Sequence, residues 1–233
     1  MDLDPLSAYC RIHGLAPPDH ELTGRVVERG WRRFLDLARD LDLSATFFVV
    51  GETLTREASL LARRATEEGH ELANHTWHHP YGFLSLAQED MKREIQSGEE
   101  AIQEAAGVCP VGFRCPGYGA SRDHLRLLDD LGYRYDSSLL PSPPYYLAKA
   151  AVMGLLRLQG KKSGAKLHPI RSVLGPTTPY PVAPETPWAP SHDPDPAVSG
   201  SRLRELPISV TPGARIPIIG TTLSLARPPR TWY

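Results

Sequence analysis

Two histidines near the first third of the chain are spaced to bind one metal ion. His75 and His79 lie four residues apart in the segment 74–80, which directly follows a predicted strand. This spacing returns the chain to the same face of one turn, so both imidazoles can approach one cation. Such a pair in a soluble chain is more often a surface or core feature, so the pair alone does not predict a site.

A carboxylate near the start of the chain could complete such a site. A metal ion that activates water usually has three protein ligands and an open position, and an aspartate commonly joins two histidines. Asp2 and Asp4 are the candidates, because alternate residues at the end of a strand project to the same side. An Asp-x-Asp pair at this position is also often solvated or part of a helix cap, so both alternatives stay open here.

The first 136 residues predict alternating helices and strands. Apolar residues recur at helical spacing in some segments, and short apolar runs rich in β-branched and aromatic residues separate them. Repeated units of this length predict an α/β fold with a parallel sheet, either open or closed into a barrel. The predicted elements are helices 24–41, 57–68, 85–106 (capped by Ser85) and 122–131 (capped by Ser121), and strands 45–50, 71–74, 111–113 and 133–135.

The pattern changes after residue 137. Segment 138–202 holds most of the 23 prolines and one apolar helix candidate at 146–158. We interpret it as an insertion outside the core of a single domain spanning 1–233, either a substrate-binding or lid segment or a poorly ordered loop. Two further strands are predicted at 207–210 and 216–219.

Composition excludes several classes of protein. Lys and Arg number 26 against 27 for Asp and Glu, so no basic field favours a nucleic-acid or anionic-membrane partner. No apolar run is long enough for a transmembrane helix, and the first residues lack the pattern of a signal peptide. We therefore expect a cytoplasmic protein. Three widely spaced cysteines fit ordinary reduced thiols.

Four motifs together resemble those of the polysaccharide deacetylase family, which is also called the NodB-homology group or carbohydrate esterase family 4. A strand similar to the family's ATFF segment lies between the first two of them. Each motif is weak alone, but their order and context are specific. The motifs are Asp2-Leu3-Asp4, His75-Thr76-Trp77-His78-His79, Arg114-Cys115-Pro116-Gly117-Tyr118-Gly119 and Tyr135-Asp136-Ser137-Ser138, and the strand is Thr46-Phe47-Phe48-Val49.

This resemblance implies a fold and a metal site. The fold would be a distorted (β/α) barrel of the NodB-homology type with a long proline-rich insertion. Asp4, His75 and His79 would bind a divalent metal ion, with zinc as the default and cobalt or another divalent ion also compatible. Asp2 would be the general base, and the D-x-D spacing resembles one branch of the family.

The resemblance also implies supporting roles for three residues. Arg114 would pair with Asp2, and the backbone N–H of Tyr118 would stabilise the developing oxyanion. Asp136 resembles the carboxylate that orients a late histidine acid. No histidine follows His192, so that acid is missing and the chain resembles a truncated family member. His124 is interpreted as a helix-surface residue.

Three functions remain compatible with these residues. The first is hydrolysis of non-peptide carbon–nitrogen bonds, with N-deacetylation of an amino-sugar polysaccharide or glycoconjugate as the expected reaction. The second is hydrolysis of a small cyclic amide or imide, as in allantoinase-like or imidase-like enzymes. The third is a degenerate, non-catalytic domain that binds a metal ion or a glycan.

Overall fold

A computed structural model describes residues 1–16, 18–158, 160, 170–183, 185–191, 202–220 and 222. Helices and strands alternate between residues 20 and 136, as the periodicity predicts, and an additional helix at 6–13 was not predicted. The strands are β1 (Asp2–Leu3), β2 (Thr46–Val49), β3 (Glu71–Asn74), β4 (Gly112–Phe113), β5 (Tyr135–Asp136), β6 (Tyr180–Pro181) and β7 (Arg204–Glu205). The helices are α1 (Leu6–His13), α2 (His20–Asp40), α3 (Arg56–Glu67), α4 (Gln88–Ala106), α5 (Arg122–Asp130), α6 (Pro143–Leu158) and α7 (Ile170–Val173).

The strands form one sheet in the order β1-β2-β3-β4-β5-β7-β6. Every neighbouring pair is parallel except β6 and β7, which are antiparallel. Asp2 pairs with Phe48, and Asn74 pairs with Phe113. The register brings the carboxyl ends of β1, β3 and β4 to one edge of the sheet, where the residues that follow them can meet.

Two apolar clusters hold the helices on the sheet. In the first, Trp31 and Leu35 of α2 pack against Phe47 of β2, and the Trp31 and Phe47 ring centroids are 5.6 Å apart. In the second, Phe83 and Phe113 pack with the apolar face of α5. Their burial explains why the amphipathic pattern of the sequence predicts these helices correctly.

The predicted start of α4 is wrong. Ser85 lies in a 3₁₀ turn, Phe83–Ser85, and the helix begins at Gln88 after Ala87, whose side chain makes no capping bond. Burial of Phe83 in the second cluster fixes this turn before the helix and overrides the capping pattern. The Ser121 cap of α5 is present, since its hydroxyl accepts the backbone N–H of His124.

His124 is not a surface residue. Its side chain is fully buried, with the ring centroid 5.7 Å from that of Phe83 and 5.2 Å from that of Phe113. Burial lowers its pKa from 6.5 to about 3. The imidazole is therefore neutral and acts as an aromatic core side chain.

The predictions for the last third of the chain need three corrections. Segments 207–210 and 216–219 form no strands and share only an isolated bridge between Val210 and Pro217, because prolines remove ladder donors there. The last parallel strand is β7 instead. Segment 138–202 is also not wholly outside the core, since Val182 is 1% exposed within the second cluster. Its residues 161–169 and 192–201 lie outside the described part.

Among the described helices, none has the length and apolar character needed to cross a membrane.

Candidate metal and substrate site

The loop after β3 is shaped by its own polar side chains. Asn74 Oδ1 accepts the backbone N–H of Thr76 at 2.8 Å, and Thr76 Oγ1 accepts that of His79 at 3.0 Å. Thr76 and His79 have positive φ angles of 70° and 54°. These bonds hold the backbone in the left-handed region, which costs free energy for residues with a side chain. The loop thereby turns His75 and His79 toward the same point.

Asp4, His75 and His79 form a compact set of three potential ligands. Asp4 Oδ1 lies 3.3 Å from His75 Nε2 and 3.4 Å from His79 Nε2. One ligand atom from each residue lies within 4.8 Å of the others. Asp4 Oδ1 is buried and has no hydrogen-bond partner among the described residues. A buried carboxylate oxygen facing two imidazole nitrogens is the donor set that a divalent metal ion requires.

The two histidines differ in their hydrogen bonds and in the direction of their pKa shifts. His75 Nδ1 lies 2.6 Å from the carbonyl oxygen of Arg114, which assigns the proton to Nδ1 and the lone pair to Nε2. Burial lowers the pKa of His79 to about 4. Burial also opposes the charged form of His75, but the hydrogen bond and charge of Asp4 outweigh it and raise the pKa of His75. These opposite shifts reflect two imidazoles sharing one carboxylate.

Asp2 lies beside this set and is held by two side chains. Arg114 Nη1 donates to Asp2 Oδ1 at 2.5 Å, and the Tyr118 hydroxyl donates to Asp2 Oδ2 at 3.1 Å. Burial alone would raise the pKa of Asp2, but the Arg114 guanidinium outweighs it and lowers the pKa to about 2. Asp2 is therefore ionised at neutral pH.

Arg114 is itself fixed in place. Its Nε and Nη2 donate to the carbonyl oxygen and the hydroxyl of Ser137 at 2.8 and 2.6 Å. Its guanidinium carbon lies 3.8 Å from the centroid of the Phe48 ring. A guanidinium held on three sides orients the Asp2 carboxylate with little loss of side-chain entropy.

Tyr118 lines the cavity, and the oxyanion role of its backbone N–H stays a prediction. In this structure the N–H donates to the carbonyl oxygen of Cys115 at 3.3 Å. Tyr118 has a positive φ of 61°, following Gly117 at 79°. The Tyr118 hydroxyl contacts Asp2 Oδ2, so the side chain of this residue also reaches the site.

Asp136 lies apart from the cavity, next to a residue that the motifs did not reveal. It is fully buried and accepts a hydrogen bond from the Ser138 hydroxyl. Glu205 lies beside it, also fully buried, and accepts the Leu139 N–H at 2.9 Å. Burial raises the pKa of Asp136 to about 7 and that of Glu205 well above its usual range. The pair therefore retains a proton near neutral pH, and no sequence motif marked Glu205.

A cavity of about 570 Å³ opens over the metal ligands. One end holds Asp2, Asp4, His75 and His79, and one wall is formed by α6. The family resemblance did not predict this wall. The sequence predicted only an apolar helix at 146–158, not its position beside the metal ligands. The other lining residues are Ala8, Tyr9, Ile12, Tyr81, Gly117, Tyr118, Pro144, Tyr145, Ala148, Lys149, Val152, Met153, Leu156, Pro217, Ile219 and Thr222.

Comparisons with known proteins agree with this arrangement. A family model described as polysaccharide deacetylase matches residues 23–135. A peptidoglycan-N-acetylglucosamine deacetylase of Bacillus cereus is 30% identical over 102 residues, covering 44% of this chain and 33% of that protein. A peptidoglycan deacetylase of Helicobacter pylori is 29% identical over 156 residues, covering 63% of this chain and 51% of that protein. The matched regions thus span a third to about a half of these relatives' own length.

A solved structure shows the same fold. A protein assigned as a polysaccharide deacetylase from Mycobacterium smegmatis aligns with a TM-score of 0.58 and 23% identity, covering 90% of this chain and 57% of that chain. The expected fold class, a distorted α/β barrel of the NodB-homology type, is thereby confirmed. Residues 23–135 thus match the polysaccharide deacetylase family, and the chain as a whole shares the fold of a solved structure that bears the same description.

Proposed function

We propose that this chain is a metal-dependent hydrolase that removes the N-acyl group from an amino sugar in a polysaccharide or glycoconjugate. The observation that carries the proposal is the convergence of Asp4, His75 and His79, with Asp2 beside them, at one end of one cavity. Relatives named as peptidoglycan deacetylases support an amino sugar as the substrate class.

The three ligands fit a divalent metal ion, with zinc as our proposal. Two imidazole nitrogens and one carboxylate oxygen form a donor set that zinc accepts with one position left open, and cobalt fits the same set. A metal ion at this position would lower the pKa of water and polarise the substrate carbonyl. Neutral His79 already offers a lone pair, whereas His75, whose pKa the Asp4 carboxylate raises, would release a proton from Nε2 when the metal ion binds.

Asp2 would act as the general base. It is ionised, and Arg114 and Tyr118 fix its orientation within the same cavity. Asp2 accepts a proton from the attacking water as a new C–O bond forms at the amide carbon. The C–N bond then breaks, and the proton that Asp2 took from the water passes to the leaving amine nitrogen. The products are a carboxylic acid and a free amine.

The test compares substitutions of the base and of a ligand. Asp2→Asn should keep the metal ion and lower acetate release from N-acetylglucosamine oligomers by about 10²–10⁴-fold, since it removes the base but no ligand. His75→Ala should lose both metal and activity. Asp40→Asn, an exposed aspartate at the end of α2, serves as the matched control and should change neither.

The outcomes separate the proposal from its alternatives. Full activity in Asp2→Asn would show that another group is the base. Bound metal without acetate release, together with hydrolysis of a cyclic imide, would replace the deacetylase by an imidase-like function. Bound metal without hydrolysis of either substrate class would favour a binding-only domain.

A further inference from the structure

The cavity extends away from the metal ligands along one side of α6. Seven residues of α6 line it at helical spacing and so share one helix face: Pro144, Tyr145, Ala148, Lys149, Val152, Met153 and Leu156. From Tyr145 to Leu156 the helix rises about 16 Å. The cavity wall is therefore much longer than an acetyl group.

The polarity of this wall changes along its length. Tyr145 marks the end near the metal ligands, because its ring centroid is 6.3 Å from that of Tyr118, whose hydroxyl contacts Asp2. Beyond Lys149 the wall continues with Val152, Met153 and Leu156.

An apolar wall suits an apolar ligand better than a second sugar. A sugar chain buried against these side chains would lose hydrogen bonds to water without replacing them, at a cost in binding free energy. A hydrocarbon chain in the same place would gain by leaving water. Val152 lines the cavity and is 54% exposed, so this end of the cavity opens to solvent and leaves room for a chain to enter.

We propose that the substrate is an amphiphile: an N-acylated amino sugar joined to a long hydrocarbon chain. The sugar lies at the metal ligands and the chain lies along Val152, Met153 and Leu156. This inference rests on the proposed function for the position of the sugar. The apolar wall itself is independent of catalysis, so binding tests the inference directly.

The experiment compares two ligands that differ only in their chain. Dodecyl and methyl β-N-acetylglucosaminide are titrated into the 233-residue chain by calorimetry, below the concentration at which the dodecyl compound forms micelles. Each methylene taken out of water is worth roughly fourfold in affinity. Even partial burial of the chain should therefore make the dodecyl compound bind at least tenfold more tightly.

Matched variants localise the effect. The double variant Val152→Asn, Met153→Gln should lower dodecyl affinity at least tenfold and leave methyl affinity unchanged. The control, Leu147→Gln with Leu155→Gln, changes two exposed α6 residues that do not line the cavity. It should bind both ligands as the wild type does.

Three results would overturn the inference: equal affinity for the two ligands, a dodecyl preference that the cavity variant retains, or an equal loss in the control. Failure of the proposed function looks different. Suppose that the dodecyl compound binds more tightly through the cavity residues but no acetate is released from any glycoside in the presence of zinc. This result would refute the proposed hydrolase function and support the binding of a hydrocarbon chain along α6. Acetate release together with equal affinities for the dodecyl and methyl compounds would support the hydrolase function and refute the binding of a hydrocarbon chain.

Discussion

Arg114 links the candidate ligands to the candidate base through two different parts of one residue. Its carbonyl oxygen accepts the proton of His75 Nδ1, and its guanidinium binds Asp2. The family motif led us to expect the second contact. The first involves the backbone and could not be predicted from residue types, because any residue offers the same carbonyl. Loss of the Arg114 side chain should therefore affect Asp2 more than metal binding.

Lys149 gives a prediction at the residue scale. Its ammonium is buried, has no hydrogen-bond partner among the described residues and lies 5.6 Å and 5.9 Å from the Tyr81 and Tyr145 ring centroids. Burial lowers its pKa, so the charged form destabilises the fold until the pH rises through that lowered value. Lys149→Met should raise Tm at pH 7 by a few degrees, roughly 2–4 °C per kcal/mol in a chain of this size.

Thermal unfolding of Lys149→Met and the control Lys149→Arg checks this. The gain should be absent in Lys149→Arg, which keeps the charge. It should also shrink as the pH approaches the usual lysine pKa, where the wild-type side chain loses its proton in both folded and unfolded states. A lower Tm for Lys149→Met at pH 7 would show that the rings stabilise the ammonium more than burial destabilises it.

At the scale of elements, α4 and the loop after β3 depend on the absence of a side chain at Gly98. A Cβ at this position would lie 2.5 Å from Asn74 Oδ1, the atom that accepts the Thr76 N–H. That close approach lets the helix support the loop that carries both histidines. The sequence predicted the helix correctly but not this contact, since an isolated glycine in a helical pattern has no unique structural meaning.

Gly98→Ala should therefore lower the free energy of unfolding by about 1–3 kcal/mol through overpacking. It should also weaken metal binding, because Asn74 must move. Gly154→Ala in α6 is the matched control, since a Cβ there meets nothing within 4 Å. It should raise stability by about 0.5–1 kcal/mol through helix propensity. Urea unfolding and a zinc titration measure both effects, and equal behaviour of the two variants would contradict this account.

The success of the sequence-based prediction also differs between elements. Strand β2 was predicted because its aromatic and β-branched residues form a short apolar run that ends at Gly51, and β3 was predicted from its place in the alternation of strands and helices. Strand β7 has only two residues, and its Glu205 is charged in isolation, so nothing in the local pattern marks it. Its place in the sheet comes from contacts with β5, which are distant in sequence.

At the scale of the whole molecule, the proline-rich part of the chain returns to the domain rather than remaining outside it. It supplies α6 to the cavity and β6 to the edge of the sheet. Such returns depend on packing between segments far apart in sequence, and local periodicity carries no information about them. The alternation of strands and helices between residues 24 and 136 was therefore predictable, whereas α1 (Leu6–His13) and the cavity wall formed by α6 were not.

The stability of the molecule should fall in mild acid because of His124. Its pKa is about 3 in the fold against 6.5 in the unfolded chain, so between these values the unfolded chain binds a proton that the fold does not. Stability contributed by the neutral ring is complete above pH 6.5 and declines as the pH falls toward 3, by up to about 1.4 kcal/mol per pH unit.

Urea unfolding of the wild type and His124→Leu at pH 7 and pH 5 checks this. When the pH is lowered from 7 to 5, the free energy of unfolding of the wild type should fall relative to that of His124→Leu. The Asp136–Glu205 pair is the same in both proteins, so its contribution cancels in this comparison. Its raised pKa values would otherwise increase stability as the pH falls, which is opposite to the effect of His124. An unchanged difference at the two pH values would mean that His124 is not neutral in the fold.

The most direct test of the central claim is the metal content of the purified protein after incubation with zinc and desalting, measured by elemental analysis. We predict about one zinc ion per chain in the wild type and in Asp2→Asn, and a large loss in His79→Ala. His78→Gln, which changes the neighbouring histidine outside the ligand set, should keep the ion. No zinc in the wild type, or equal zinc in His79→Ala, would contradict the assignment of Asp4, His75 and His79 as the metal site.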